Sequence, residues 1–191
     1  MERSQVKYIC ESMLGIKWVP DLDSNVRDVL ASCDSKLEQM YILGACHFIE
    51  KASREIAGIN SLWISTSSVI FHGIKYTGIW VLEPWHAWYL DEVPHDRRGG
   101  PSALLIVPQL RSPEKDITHD LGLFYGDDNG SPKWTFRHAV EIDGYGVHSI
   151  RRDADGYRDK GLSYSVLRFQ EELGSALTWF KDVVLDDAGM K

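Results

Sequence analysis

The chain has 191 residues, of which 43% are hydrophobic and 26% are charged, and its formal net charge is −7. This composition excludes an intrinsically disordered chain, and the length suits one domain that holds its core without disulfides or zinc. The negative charge counts against a protein that covers duplex DNA with a broad basic surface, because phosphate contacts drive such binding. A local basic rim around an acidic centre is compatible with the same total charge.

The three cysteines are widely spaced, at Cys10, Cys33 and Cys46. Because no two of them form a Cys-x-x-Cys pair, the sequence excludes a zinc knuckle and a thioredoxin-like motif. Free thiols are typical of a reducing compartment. Residues 1–7 lack the apolar core of a signal peptide, and no apolar run approaches the roughly 18 residues needed to span a bilayer. We therefore expect a cytoplasmic protein without a membrane partner.

The first clear element is an amphipathic helix that begins near Ser35, since residues 1–34 give no regular pattern. Ser35 stands three residues before Glu38, as in a capping box, and Gly58 is the predicted end of the helix. The spacing of the apolar residues by three or four places them on one helix face. These residues are Leu37, Tyr41, Ala45, Phe48, Ala52 and Ile56.

After this helix the pattern changes to that of strands. Residues 60–100 are rich in Trp and β-branched side chains, which indicates one or two short strands or an irregular insertion. The turn signal at 127–130 predicts a hairpin between the two strands on either side of it. The later predicted elements are strands at 103–107, 117–125 and 136–143, a charged helix over about 149–161, a strand at 164–169 and a helix at 171–185.

The strand that contains Glu141 and Asp143 carries the clearest chemical signal. Side chains alternate along a strand, so these two acids share the face opposite Val140 and Ile142. Two carboxylates so placed repel each other unless a cation or a proton resolves the conflict, and hard oxygen ligands favour Mg²⁺ or Mn²⁺. Glu-x-Asp on its own also fits a solvated acidic edge strand. If the hairpin pairs as expected, Asp120 can face the same side and complete a three-carboxylate metal site.

Six short motifs follow one another over residues 35–57 and 104–173. They are Ser-Lys-Leu-Glu-Gln at 35–39, Pro-Gln at 108–109, Thr-His-Asp-Leu at 118–121, Val-Glu-Ile-Asp-Gly-Tyr at 140–145, His148, and Val-Leu-Arg-Phe at 166–169. In their order and composition they resemble the motifs of the very-short-patch-repair-endonuclease-like branch of the PD-(D/E)XK superfamily.

The resemblance implies an α/β (α+β) fold with a restriction-endonuclease-like core, in which a central mixed sheet is flanked by helices. One nuclease-like domain would span residues 1–191, with an N-terminal extension at 1–34 and an insertion at about 60–100. The implied activity is metal-dependent endonucleolytic hydrolysis of phosphodiester bonds in DNA, in a repair, restriction or defence context. DNA would then be the main partner.

The resemblance also implies the acidic residues of the site. Asp120 and Glu141 would bind Mg²⁺ or Mn²⁺, and Asp143 would join them. Asp143 stands where the superfamily usually has a Lys that orients the attacking water. Glu38 would reach in from the first helix as a further acidic member of the catalytic set.

Further polar residues would assist these acids. His148 is the expected general base or phosphate-side donor, and Gln109 would orient the water. Arg158 and Arg168 are the expected DNA-binding residues, and the alternative for them is a solvated helix face with one salt bridge at a strand end. His119 is expected on the face opposite Asp120 and outside the metal site.

Two other classes of function compete with the nuclease. The first is a catalytically inactive module of the same fold that binds DNA or a protein partner, or forms a homodimer; the acidic charge and the missing Lys favour it. The second is a sugar hydrolase with paired carboxylates, against which both the motifs and the order of the strands argue.

Overall fold

The computed structural model describes residues 1–57, 64–82, 103–127, 133–142 and 159–169. Helices occupy most of the N-terminal part, including residues 1–34, which show no regular pattern of apolar residues. The short helix α1 (Arg3–Tyr8) continues as a π-helical turn (Ile9–Met13). Helices α2 (Ser24–Ala31) and α3 (Lys36–Ala57) follow. The Asp23 carboxylate caps α2 by accepting a hydrogen bond from the Val26 amide at 2.8 Å.

Six strands form one sheet in the order β1-β2-β3-β4-β5-β6. Neighbouring strands are antiparallel, except that β6 runs parallel to β5. The protein therefore has an α+β fold with a mixed sheet, as predicted. The strands are β1 (Ile64–Phe71), β2 (Ile74–Leu82), β3 (Ala103–Arg111), β4 (Thr118–Asp127), β5 (Lys133–Ile142) and β6 (Ser165–Phe169).

The predicted strands from residue 103 onward correspond to β3, β4, β5 and β6, and β4 and β5 pair across the predicted turn. The region expected to be an insertion carries β1 and β2, which form a hairpin and extend the sheet beside β3. The turn of this hairpin uses two residues with positive φ, His72 and Gly73. The predicted helix at 171–185, and nearly all of the one at 149–161, lie outside the described residues.

The helices pack on one face of the sheet. The first core cluster joins buried residues of α1, α2 and α3 to alternate residues of the strands, including Ile106, Leu121 and Val140. In the described part of the chain, the second cluster consists of strand residues such as Val107 and Phe124. No helix within the described ranges is both long and apolar enough to cross a membrane.

Candidate functional site

The pairing of β3 with β4 places Gln109 beside Asp120. Leu110 lies opposite His119, and the antiparallel register continues unchanged on the other side of Gln109. Gln109 therefore faces Asp120 across the strand pair. The backbone of Gln109 has φ = 55°, a left-handed conformation that costs an L-residue roughly 1 kcal/mol or more. Strain of this kind at a polar residue marks a position worth testing for function.

The pairing of β4 with β5 brings Glu141 into the same level of the sheet. Leu121 lies opposite Val140, so one step further Asp120 lies beside Glu141. On the next strand Arg168 lies opposite Glu141. Four residues that the motifs predicted for the site therefore lie side by side across four adjacent strands. We call this set the cross-strand row: Gln109, Asp120, Glu141 and Arg168.

A register shift between β4 and β5 aligns this row: Phe124 lies opposite Phe136 and Leu123 opposite His138, so Arg137 is an extra residue in β5. Near the turn, Asp127 lies opposite Lys133, and continuing that register would place Val140 opposite Asp120. The register shifts by one residue between Leu123 and Phe124. Because of this irregularity, Glu141 rather than Val140 lies beside Asp120.

Glu38 joins the row from the start of α3. Its side chain is 2% exposed, and it accepts three hydrogen bonds. Ser35 Oγ donates to one carboxylate oxygen at 2.8 Å, while the Asp34 amide at 3.2 Å and Gln109 Nε2 at 2.9 Å donate to the other. The Glu38 amide donates back to Ser35 Oγ at 3.1 Å. The predicted cap by Ser35 Oγ is confirmed, whereas the Glu38 carboxylate bonds back to the Asp34 amide and the Ser35 hydroxyl rather than to the Ser35 amide. The same carboxylate also holds the Gln109 side chain.

The Asp120 carboxylate is held by the backbone of the neighbouring strand, since Oδ2 accepts a hydrogen bond from the Ile142 amide at 2.6 Å. Asp120 also lies within electrostatic reach of the residues before α3. Burial, together with the negative charges of Glu38, Asp34 and Asp120, raises the pKa of the Cys33 thiol to about 12. Asp120 is therefore placed towards the helical face of the sheet.

Glu141 contacts a different neighbour. Its Oε1 lies 2.8 Å from Nδ1 of His119, and both residues are buried, at 4% and 0% exposure. The flanking residues Val140 and Ile142 pack into the first core cluster, on the helical face. By strand alternation, Glu141 points to the other face. His119 Nε2 in turn lies 3.0 Å from the Tyr164 hydroxyl.

Arg168, the last residue of the row, forms an ion pair with Asp159. Its Nε donates to Asp159 Oδ2 at 2.7 Å, and the two side chains are 15% and 20% exposed. This ion pair agrees with the alternative explanation of Arg168, a salt bridge at a strand end, and it also holds the guanidinium at a defined place beside Glu141.

The remaining predicted site residues, Asp143, His148 and Arg158, lie outside the described part of the chain. Within the described ranges, no group of three or more His, Cys, Asp or Glu side chains is arranged to hold a metal ion. The row brings Asp120 and Glu141 together along the backbone, while their hydrogen bonds direct the two carboxylates to different partners. The complete ligand set stays a prediction.

The sequence did not predict the contact between His119 and Glu141, or that between His119 and Tyr164. The only signal was that two polar residues, His119 and Asp120, interrupt an otherwise apolar strand. Strand alternation separates such neighbours onto two faces but does not say what each one meets.

Comparisons of the chain with protein-family models, with curated proteins and with solved structures find no match. The resemblance to the PD-(D/E)XK superfamily therefore depends on the sequence motifs alone.

Proposed function

We propose that this protein is a metal-dependent nuclease of the PD-(D/E)XK type that hydrolyses phosphodiester bonds in DNA, with the cross-strand row at its centre. The observation that supports this proposal is the row itself. Four residues assigned from separate motifs lie at one level of four adjacent strands. Glu38, assigned from a fifth motif, is bonded to the first of them. A chance set of polar residues has no reason to align in this way.

The donor chemistry of the site fits Mg²⁺ or Mn²⁺. Asp120 and Glu141 contribute carboxylate oxygens, which are hard ligands. Their hydrogen bonds direct them to different faces of the sheet in this structure, so in this proposal a bound cation would draw both carboxylates together, with Asp143 as a further ligand. A bound divalent cation would neutralise charge on the phosphate and make a coordinated water more acidic. Without such a cation, acids this close along the backbone need the separate hydrogen bonds that they make here.

In this proposal, the other residues of the row orient the attacking water and bind the phosphate. Glu38 accepts from the amide nitrogen of Gln109, which leaves the amide oxygen as the end of the side chain that accepts a hydrogen bond from water. Arg168 brings a positive charge to the acidic row, oriented by Asp159. Guanidinium groups bind phosphate oxygens through paired N–H donors, so Arg168 is suited to hold the nucleic-acid backbone beside Glu141.

A second candidate function is the inactive module that binds DNA or a protein. The hydrogen bonds of the acids favour it: Glu38 serves a helix cap, Asp120 a backbone amide and Glu141 a buried histidine. In this alternative the acids stabilise the fold, and the residue at 143 that replaces the usual Lys reflects lost catalysis.

Cleavage assays separate the two candidates. Plasmid and single-stranded DNA are incubated with the wild type in Mg²⁺, Mn²⁺ or EDTA, beside Asp120→Asn, Glu141→Gln and the control Glu11→Gln. Glu11 is an exposed acid that lies 3.9 Å from Lys7. Cleavage that requires metal, disappears in the first two variants and persists in the control supports the nuclease. An inert wild type whose DNA binding matches that of the variants supports the module.

A further inference from the structure

Strand β1 lies at the edge of the sheet, since among the strands that the structure describes it pairs with β2 alone. The two strands are joined by the two-residue turn His72-Gly73, so the flanking pair, Phe71 and Ile74, exchanges both of its backbone hydrogen bonds. Every second residue of β1 bonds to β2 in the same way. The residues between them direct their backbone N–H and C=O groups away from the sheet. These residues are Ile64, Thr66, Ser68 and Ile70.

This edge has none of the features that usually protect an edge strand. Such edges commonly carry a charged side chain, a proline or a β-bulge, each of which hinders pairing with another chain. The sequence of β1 is Ile-Ser-Thr-Ser-Ser-Val-Ile-Phe, whereas each of the other five described strands contains at least one charged residue. The register of β1 with β2 is also unbroken. The free edge of β1 is therefore suited to accept a further strand.

Apolar side chains are exposed at the same edge. Within the described ranges, three large hydrophobic side chains are exposed, and two of them flank the turn between β1 and β2: Ile70 at 74% and Ile74 at 44%. Side chains alternate along a strand, so Ile70 shares a face with Ile64, which packs against the first core cluster. A strand added beside β1 would cover Ile70 as well as bond to the free backbone groups.

We propose that this protein forms a homodimer in which β1 pairs antiparallel with β1 of a second copy, so that the two sheets become one. Like charges opposite each other destabilise a strand pair. Each chain has a net charge of −7, but β1 brings no charge to the contact, which favours a second copy as the partner. This inference does not depend on the cross-strand row or on the proposed nuclease function.

The alternation of backbone groups also defines a register for the dimer. A two-fold axis at Ser67 places Ile70 opposite Ile64 of the second copy, and Ser68 opposite Thr66 of the second copy. All of these residues direct their backbone groups outward, so each pair exchanges both hydrogen bonds. The two isoleucines then cover each other on the helical face of the joined sheet.

The first test measures the oligomeric state of the full chain by sedimentation equilibrium at micromolar concentrations. Ile70→Lys places a charge at the free edge, and Ser68→Pro removes an outward N–H without breaking the ladder to β2. The control Ile74→Lys adds the same charge to an exposed isoleucine of β2. We expect dimers of wild type and of the control, and dimerisation roughly tenfold or more weaker in both edge variants, because each change occurs twice in the dimer.

The second test is disulfide crosslinking under mild oxidation. Residues opposite each other in a pair without hydrogen bonds have Cα atoms about 4.5 Å apart, which a disulfide can span. Ser67→Cys should therefore form a covalent dimer, and Ser65→Cys, on the same face but away from the axis, should form far less. The three native cysteines are buried, so they should not crosslink.

Two results would overturn the proposed dimer. One is a wild type that stays monomeric throughout the concentration range, and the other is a dimer that persists in both edge variants. Preferential crosslinking of Ser65→Cys would refute the register. Circular dichroism checks that each variant is folded, and if Ser68→Pro is not, Ile70→Lys against Ile74→Lys provides the same comparison.

Discussion

Replacing Glu38 by Ala tests whether the hydrogen bonds of this buried carboxylate stabilise the metal-free protein, or whether the carboxylate destabilises it in the absence of a cation. The buried carboxylate accepts from Ser35 Oγ, the Asp34 amide and Gln109 Nε2. Hydrogen bonds to a charged group contribute about 1.5–3 kcal/mol each, and a donor left unpaired in the interior costs about 1–3 kcal/mol. The three donors are only partly buried, so water can reach some of them. We therefore expect the free energy of unfolding to fall by about 3 kcal/mol rather than by the full sum.

The assay is urea and thermal unfolding of the metal-free protein, followed by circular dichroism. For a chain of this size a loss of 3 kcal/mol corresponds to a fall in Tm of about 6–12 °C. Glu38→Gln keeps one acceptor and should lose about 1 kcal/mol. The exposed control Glu11→Ala should stay within about 0.5 kcal/mol of wild type. If metal-free Glu38→Ala is as stable as wild type or more stable, the carboxylate is under electrostatic stress and the hydrogen-bond account is wrong.

Three further predictions concern the fold. Burial raises the pKa of the Cys10 thiol to about 11 and those of Cys33 and Cys46 to about 12. Because a raised pKa removes the reactive thiolate, Ellman's reagent at pH 8 should label the native protein negligibly. After denaturation it should label all three thiols. Rapid labelling of the native state would contradict the packing. A Cβ on Gly78 would lie 2.6 Å from the Ile106 carbonyl oxygen, so Gly78→Ala should lower the free energy of unfolding in urea by about 2 kcal/mol. If Gly78→Ala is as stable as the variant of its exposed neighbour, Thr77→Ala, that contact is refuted. Asp23→Ala removes the cap of α2 and should cost about 1 kcal/mol; an unchanged Tm would show that the cap contributes nothing.

The sequence predicted the central helix and the later strands because each has a strong local signal. Helix α3 combines a capping box at Ser35 with a long apolar face, and β3 to β6 are compact apolar runs separated by clear turns. The N-terminal helices were missed because they are short. They depend on burying a few residues, such as Val6 and Leu30, rather than on a long periodic pattern. The hairpin of β1 and β2 was only loosely expected, since β1 is rich in Ser and Thr.

The sequence predicted which residues would lie near one another in the sheet but not the direction of their side chains, and their role as a site stays a prediction. Motif order was enough to select Gln109, Asp120, Glu141 and Arg168, and the register places them in one row. Simple alternation from the turn could not foresee the shift after Leu123. The partners of the acids were also beyond the sequence, because they depend on tertiary contacts with residues distant along the chain.

The account depends most on a divalent cation bound at the cross-strand row. The most direct measurement is an anomalous difference map from a crystal soaked in Mn²⁺. The account predicts a peak about 2.1 Å from carboxylate oxygens of both Asp120 and Glu141, with no such peak in Glu141→Gln. A map without density at the row, in which Asp120 still accepts from the Ile142 amide and Glu141 still pairs with His119, would contradict the nuclease and leave the inactive module as the better description.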